Sequence, residues 1–340
     1  MTEAATTRLL TTTQIEQTAD AIAEWQLPSG MIPWVPGGHS DPWNHVEAAM
    51  ALATAGRIDD AERAYDWLRG LQHDDGSWHQ YYTEDGVEED KFDANVIAYI
   101  ATGVWHHYLT TKDRGFAETM YPIVERALDW VFELQLPRGE ILWARHADGT
   151  PWSFALLTGS SSIYHSARCA LGLSHVVGVD RSDWLERIDR LGDLIRLQPE
   201  GAFAPKNRWA MDWYYPVLSG AVRGQAGLDR LEARRSTFYM DGLGIRCVGD
   251  RPWVTTAETS ECAIAHLAVG DSTTAQTLFN TTWDLRDESG RYWTGEVHPE
   301  RVHFPGGEMS TYSSAAVLLA NDALKGTGPA SRLFLDTPGS

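Results

Sequence analysis

Two acidic residues are set apart by their neighbours. Asp41 lies in GGHSDPWNH, between His39 and His45 and two residues before Trp43; Glu258 lies in RPWVTTAETSE, after Trp253 and Val254, with Glu261 one helical turn further on. Cleavage of a glycosidic bond needs two carboxyl groups, one held as the acid and one ionised. Apolar neighbours keep a carboxyl protonated, and hydrogen-bonding neighbours keep it charged. On that reading Glu258 is the acid, with Glu261 its rival, and Asp41 is the base. Asp93 and Asp212 are then candidates for binding hydroxyls or stabilising developing positive charge. The chain carries 15 tryptophans, and indole stacks well on sugar rings and on isoprenoids alike. Trp34, Trp43, Trp213 and Trp253, with Tyr164, are the candidate platforms. Packing in the core is the competing role for each, and helix capping the competing role for each carboxylate.

Other chemistries fare worse. No D-x-D-D is present to protonate an alkene, and Asp59-Asp60 is followed by Ala61-Glu62-Arg63, which breaks the D-D-x-x-D that holds magnesium and pyrophosphate. Glu258, Cys262 and His266 recur one turn apart and are the nearest thing to a zinc set, but an alanine-rich buried helix explains them as well. No metal or organic cofactor is expected. The net charge of −19 repels phosphate backbones and anionic lipid, so nucleic acid and membranes are not expected partners. The substrate expected is a neutral oligosaccharide or polysaccharide. No residue pattern specifies an oligomeric state. The start of the chain has neither a basic cluster nor an apolar core of a leader, and three scattered cysteines form no disulfide framework, so a cytoplasmic location is expected.

These residues must be positioned by helices. LQHDDGSW, residues 71–78, contains Q-x-x-x-G-x-W, a pattern known from repeats of terpenoid cyclases, and looser forms begin at Trp25, Leu134 and Leu285. Each follows an amphipathic stretch and breaks at a glycine, read as a left-handed helix cap. Between them lie segments rich in Ala, Gly and Ser, starting at Asp41, Asp93, Ser160, Asp212, Glu258 and Ser310. A helix apolar nearly all round is a buried one. Six buried helices alternating with outer ones predict an all-α, single-domain (α/α)6 toroid over residues 12–325. Residues 1–11 are read as a tail, and 326–340 as a partly disordered one. The inner helices would gather Asp41, Asp93, Tyr164, Asp212, Glu258 and the region from Glu308 to Tyr312 at one mouth. The acidic run 84–90 is read as a solvated loop and 298–310 as a long mouth loop or lid.

Four blocks, GSSSIYHSARCALGL, WAMDWYYPVLSGAVRG, GLGIRCVGDRPWVTTAETSE and YWTGEVHPE, resemble an actinobacterial family often labelled prenyltransferase-like. The resemblance spans roughly residues 20–325. It implies kinship with the mycobacterial hydrolases of methylmannose polysaccharide, endo-acting α-(1→4)-mannosidases. It lends no catalytic residue to this chain; the assignments above rest on position. A terpenoid-handling enzyme and a non-catalytic glycan-binding toroid remain the alternatives at this point.

Overall fold

The computed structural model describes residues 8–338. Fourteen helices, α1 Thr12–Ala23, α2 Pro42–Thr54, α3 Ile58–Leu71, α4 Ala94–Ala98, α5 Ile100–Thr111, α6 Arg114–Glu133, α7 Leu157–Val177, α8 Ser182–Leu197, α9 Met211–Leu218, α10 Gly224–Ala233, α11 Arg235–Phe238, α12 Thr256–Ala268, α13 Ser272–Thr281 and α14 Thr311–Lys325, make up the described chain. The inner ring runs α2, α4–α5, α7, α9, α12, α14 and back to α2, each packing on the next. On the outside, α3, α6, α8, α10, α13 and α1 back the inner helices in turn. The expected (α/α)6 toroid is the fold observed. Small residues make it close: α2 buries Ala48, Ala49, Ala51 and Ala53, and α12 buries Ala263 and Ala265. The outer helices keep one apolar stripe, as in α3, where Ala61, Ala64, Tyr65 and Leu68 are buried.

The glutamine–glycine motif proves to be a clamp between neighbouring outer helices. Gln72 Nε2 donates to the Gly76 carbonyl at 3.0 Å and to the Ile123 carbonyl of α6 at 2.9 Å. Gln26 does the same toward Gly30 and the Asp60 carbonyl of α3, and Gln135 toward Gly139 and the Arg187 carbonyl of α8. At the seam between chain ends Arg286 replaces the glutamine and donates to Gln17 of α1. The glycines are not helix caps. They lie in the turn beyond the helix, with positive φ, pressed onto the next outer helix. A Cβ on Gly76 would sit 2.3 Å from the Arg126 carbonyl oxygen. The residue two beyond each glycine (Ile32, Trp78, Ile141, Tyr292) is 1% exposed.

Short strands, which the helical reading did not foresee, line the loops that feed the inner helices. Residues 81–83 and 86–89 form a hairpin where a solvated loop is expected. Strands Trp253–Thr255, Gly295–Val297 and Val302–Phe304 form an antiparallel sheet, so residues 302–304 of the expected lid are paired backbone. Both termini are also better fastened than expected. The Leu10 amide donates to Asn321 of α14; residues 1–7 of the expected tail lie outside the described residues. Partial disorder is expected after α14, yet Ala330, Leu333 and Phe334 are buried. Phe334 stacks on His165 of α7 at 4.8 Å, and Arg168 and Arg223 donate to the Pro338 and Phe334 carbonyls. The sequence signal misled because a segment packed against α7 and α14 needs no helical period, only apolar residues at the contact.

The clamp gives a direct test. Gly56 also has positive φ but no atom within 4 Å of its would-be Cβ. Gly56→Ala should cost about 1 kcal/mol from backbone conformation alone, whereas Gly76→Ala should cost at least about 2 kcal/mol more because backbone must move. Denaturant unfolding of the two variants reads the difference; equal losses would mean that the close approach carries no weight.

Candidate active site

Helix starts at one face of the ring build the site. Asp41 caps α2, and Pro42 at the first helical position sets the entry angle. The Asp41 carboxylate takes four donors: the Trp43 and Asn44 amides on Oδ1, at 2.9 and 3.0 Å, and the Trp34 indole (2.8 Å) and Asn44 side chain on Oδ2. Burial pushes its pKa up and these four bonds pull it down, with the balance upward. All four lone-pair directions of the carboxylate are thus occupied. Action as a base requires one side-chain donor on Oδ2 to give way to water.

Around Asp41 opens a cleft of about 220 Å³. Trp34, Trp43, Asn44, Gln80, Tyr81, Asn95, Val96, Thr158, Met211 and Tyr215 complete its lining. Four inner helices, α2, α4, α7 and α9, contribute their first turns or the loops before them. One wall is aromatic: Tyr81 stacks on His39 at 4.4 Å, and Trp34 meets both edge-on. The floor is Trp43, set between Tyr99 at 5.0 Å and Tyr312 at 5.1 Å. Two larger hollows, of about 430 and 550 Å³, lie between the small sheet and the end of α13, and against α9–α10. The first has no Trp, Tyr or Phe in its lining, and the second pairs Asp212 with the buried Trp213 alone, whereas the smaller cleft sets Asp41 among Trp34, Trp43, Tyr81 and Tyr215 and is the better candidate on chemistry.

Glu258 stands in the first turn of α12, half-buried, outside that lining. Burial raises its pKa, and its charge reaches the hydroxyls of Tyr214 and Tyr312. Tyr312 also packs on Trp43 of the cleft, at 5.1 Å. Glu261 lies one turn deeper, 6% exposed. It accepts from Tyr214 and, at 2.6 Å, from Tyr312. Burial pushes it up to about 8.

The other expected site residues are placed elsewhere. Asp93 caps α4 through the Asn95 and Val96 amides, and burial lifts it to about 6. Asp212 accepts from the Thr158 hydroxyl at 2.7 Å and ties α9 to α7. Trp213 is a core residue: it is 2% exposed, stacks on Phe238 at 5.3 Å and donates to the Arg230 carbonyl. Tyr164 lies seven residues into α7, roughly 10 Å from its start at 1.5 Å per residue. It packs outward against Gly192 of α8. Trp253 packs on Phe304 within the small sheet. In the zinc-like trio His266 pairs with Asp271 at 3.0 Å, and burial pushes the Cys262 thiol far above its ordinary value. Among the described residues no three His, Cys, Asp or Glu side chains come together to hold a metal. Sequence reasoning missed Gln80, Tyr81 and Asn95. It also missed Glu47, buried beneath the floor in a helix read as nearly free of charge. Burial pushes Glu47 up to about 7.

No protein-family model matches the chain. Solved structures share its fold. A glycosidase superposes with a TM-score of 0.69 at 15% identity, covering 92% of this chain and 96% of that one. A GH63 mannosylglycerate hydrolase from Thermus thermophilus gives 0.69 at 13%, covering 89% and 99%. A D-mannose isomerase gives 0.65 at 11%, covering 93% and 98%. These structures and this chain share one fold, the helical toroid. Sequence narrows this further: the chain is 51% identical over 326 residues, 96% of its length and 90% of the relative's, to an MMP endo-(1,4)-3-O-methyl-α-D-mannosidase from Mycolicibacterium hassiacum. The chain belongs to the family of that mannosidase.

The buried carboxyls predict a pH response of stability. Glu47 and Glu261 bind protons more tightly folded than unfolded, so their contribution is complete below about pH 4.5 and is lost as pH rises through about 7 and 8. The buried histidines act oppositely: His45, lowered to about 4, and His106 and His165, lowered to about 3, gain stability as pH rises to 6.5 and add nothing above it. Between pH 6.5 and 8 the protein should therefore lose stability, and Glu261→Gln should flatten that slope. Chemical denaturation at both pH values checks it.

Proposed function

We propose that the protein is an endo-acting glycoside hydrolase that cuts α-(1→4) bonds in an O-methylated mannose polysaccharide. The observation that carries this is the 51% identity, over nearly the whole chain, to a mannosidase named for that substrate. The cleft supports it: methyl ethers make mannose edges apolar, and Trp34, Trp43, Tyr81 and Tyr215 offer flat apolar faces beside Asn44, Gln80 and Asn95 for the remaining hydroxyls.

Asp41 serves as the base and Glu258 as the acid. Burial raises both carboxyls, as an acid working near neutrality requires of Glu258, while the four donors on Asp41 offset part of its rise and favour its anion. Their helices, α2 and α12, flank α14 rather than touch as ring neighbours. Adjacent helix axes are about 8–10 Å apart, so this separation leaves room for a water between the carboxyls. Direct attack by that water inverts the anomeric centre. In this scheme the water displaces the Trp34 or Asn44 donor from Oδ2, Asp41 takes its proton as it attacks C1, and Glu258 gives a proton to the departing oxygen. Three unpaired cysteines suit a reducing, cytoplasmic compartment.

Asp41→Asn and Glu258→Gln should fold, bind oligosaccharide and lose hydrolysis of methylated mannan by roughly 10³-fold or more. Proton NMR of the first product should show the β-anomer, and an α-anomer would replace inversion with retention. Near-normal turnover in either variant would remove that residue from its role. Chelation of divalent cations should leave the rate unchanged; a loss restored by zinc or magnesium would reopen the metal-dependent alternatives.

A further inference from the structure

Beneath the cleft floor lies a polar cluster that the acid–base pair does not use. Glu47 and Glu261 are 4% and 6% exposed, and among the described residues neither forms an ion pair. Glu47 accepts a hydrogen bond from Tyr99. Both oxygens of Glu261 are occupied, one by Tyr214 and one by Tyr312. The two carboxyls border one enclosed hollow of about 10 Å³, with Tyr215 and Phe334 in its wall. A buried carboxylate without a cation is costly, and two bordering one small hollow resist joint ionisation. Tyrosine hydroxyls can donate to such groups and also accept from them.

The cluster grips the floor from below. Tyr99 and Tyr312, the two rings that hold Trp43, are the same two whose hydroxyls end on Glu47 and Glu261. Tyr215 borders the hollow and also lines the cleft. Phe334 borders the hollow beside Leu218, Ile264 and Leu319. Glu261 is 6% exposed, with both oxygens held by buried tyrosine hydroxyls, whereas Glu258 one turn nearer the helix start is half-buried, so Glu258 is the better placed of the two to meet a glycosidic oxygen.

We infer that Glu261 and Glu47 are positioning residues, which fix Trp43 as the floor of the cleft through Tyr312 and Tyr99, with Phe334 of the C-terminal segment sealing them from water. This rests on the proposed function only in taking Trp43 as a platform for the sugar.

The test compares Glu261→Gln, Glu261→Ala and Tyr312→Phe in the full chain. Turnover of methylated mannan is measured in the otherwise wild-type protein. Affinity for a methylated mannose oligosaccharide is measured by calorimetry in the Glu258→Gln background, where nothing is cleaved. Glu261→Gln should change neither by more than about 3-fold, because an amide can accept from one tyrosine and donate to the other. Glu261→Ala and Tyr312→Phe should raise KM and Kd about 10-fold and alter kcat far less, the mark of lost ground-state binding. If Glu261→Gln is as inactive as Glu258→Gln, Glu261 is part of the chemistry and the inference is wrong. A lowered melting temperature with unchanged Kd in Glu261→Ala would make the role structural only, and equally wrong. A second readout needs no substrate: the fluorine NMR signal of 5-fluorotryptophan at Trp43, assigned with Trp43→Phe, should move in Glu261→Ala and stay in Glu261→Gln. A protein that cleaves no methylated mannan would sink the function reading, while an unmoved Trp43 signal in Glu261→Ala would sink this one.

Discussion

Closure of the inner ring, where α14 packs on α2, is the contact on which the site depends. Hydrogen bonds fasten it: the Thr311 hydroxyl and amide donate to the Pro33 and Trp34 carbonyls. That seam sets the loop carrying Trp34, whose indole holds Asp41. It also lays Tyr312 against Trp43. Without it α2 and α12 would have no common neighbour, and the two proposed catalytic carboxyls no fixed relation. The small side chains of the inner helices are what permit the approach, since ring closure at this radius leaves little volume for large ones.

The helix-start carboxylates divide by what they accept from. Asp93 and Asp212 are absorbed into helix caps and inter-helix ties. Asp41 does the same for α2, yet also faces a cleft with aromatic walls. Capping and chemistry are therefore not alternatives at this residue: the amides that satisfy the helix end also stabilise the anion. At the buried pair one layer deeper burial again favours the proton, but among the described residues the donors are tyrosine hydroxyls rather than helix amides.

Much of this was legible in the sequence, for identifiable reasons. Six Ala-, Gly- and Ser-rich segments alternating with amphipathic ones define the toroid, because burial all round leaves a compositional trace. Asp41, Trp34 and Trp43 were legible because they meet through local contacts around one helix start. Tyr164 and Trp213 were misplaced because composition does not locate a helix start to within a turn, nor say which way a ring points from a helix that is buried on every side. Glu47 and Tyr81 escaped notice for different reasons. One carboxylate in an alanine-rich helix makes no pattern, and a tyrosine beside a repeat motif reads as part of the repeat. The Q-x-x-x-G-x-W pattern suggested cyclase chemistry, but its spacing serves the backbone of the next outer helix.

The seam joins residues 278 positions apart. Contacts so remote in sequence form late and slowly, since a long loop must close before any of them is gained. A chain emerging from the ribosome can build helical hairpins one after another but cannot assemble a working cleft from them. Helix α14 must be out before the ring closes, and residues 330–334 before the hollow beneath the cleft is bordered on all sides. Every partial product therefore displays an open arc of apolar inner helices, and this protein would rely on chaperones during synthesis more than its stable, locally paired helices suggest.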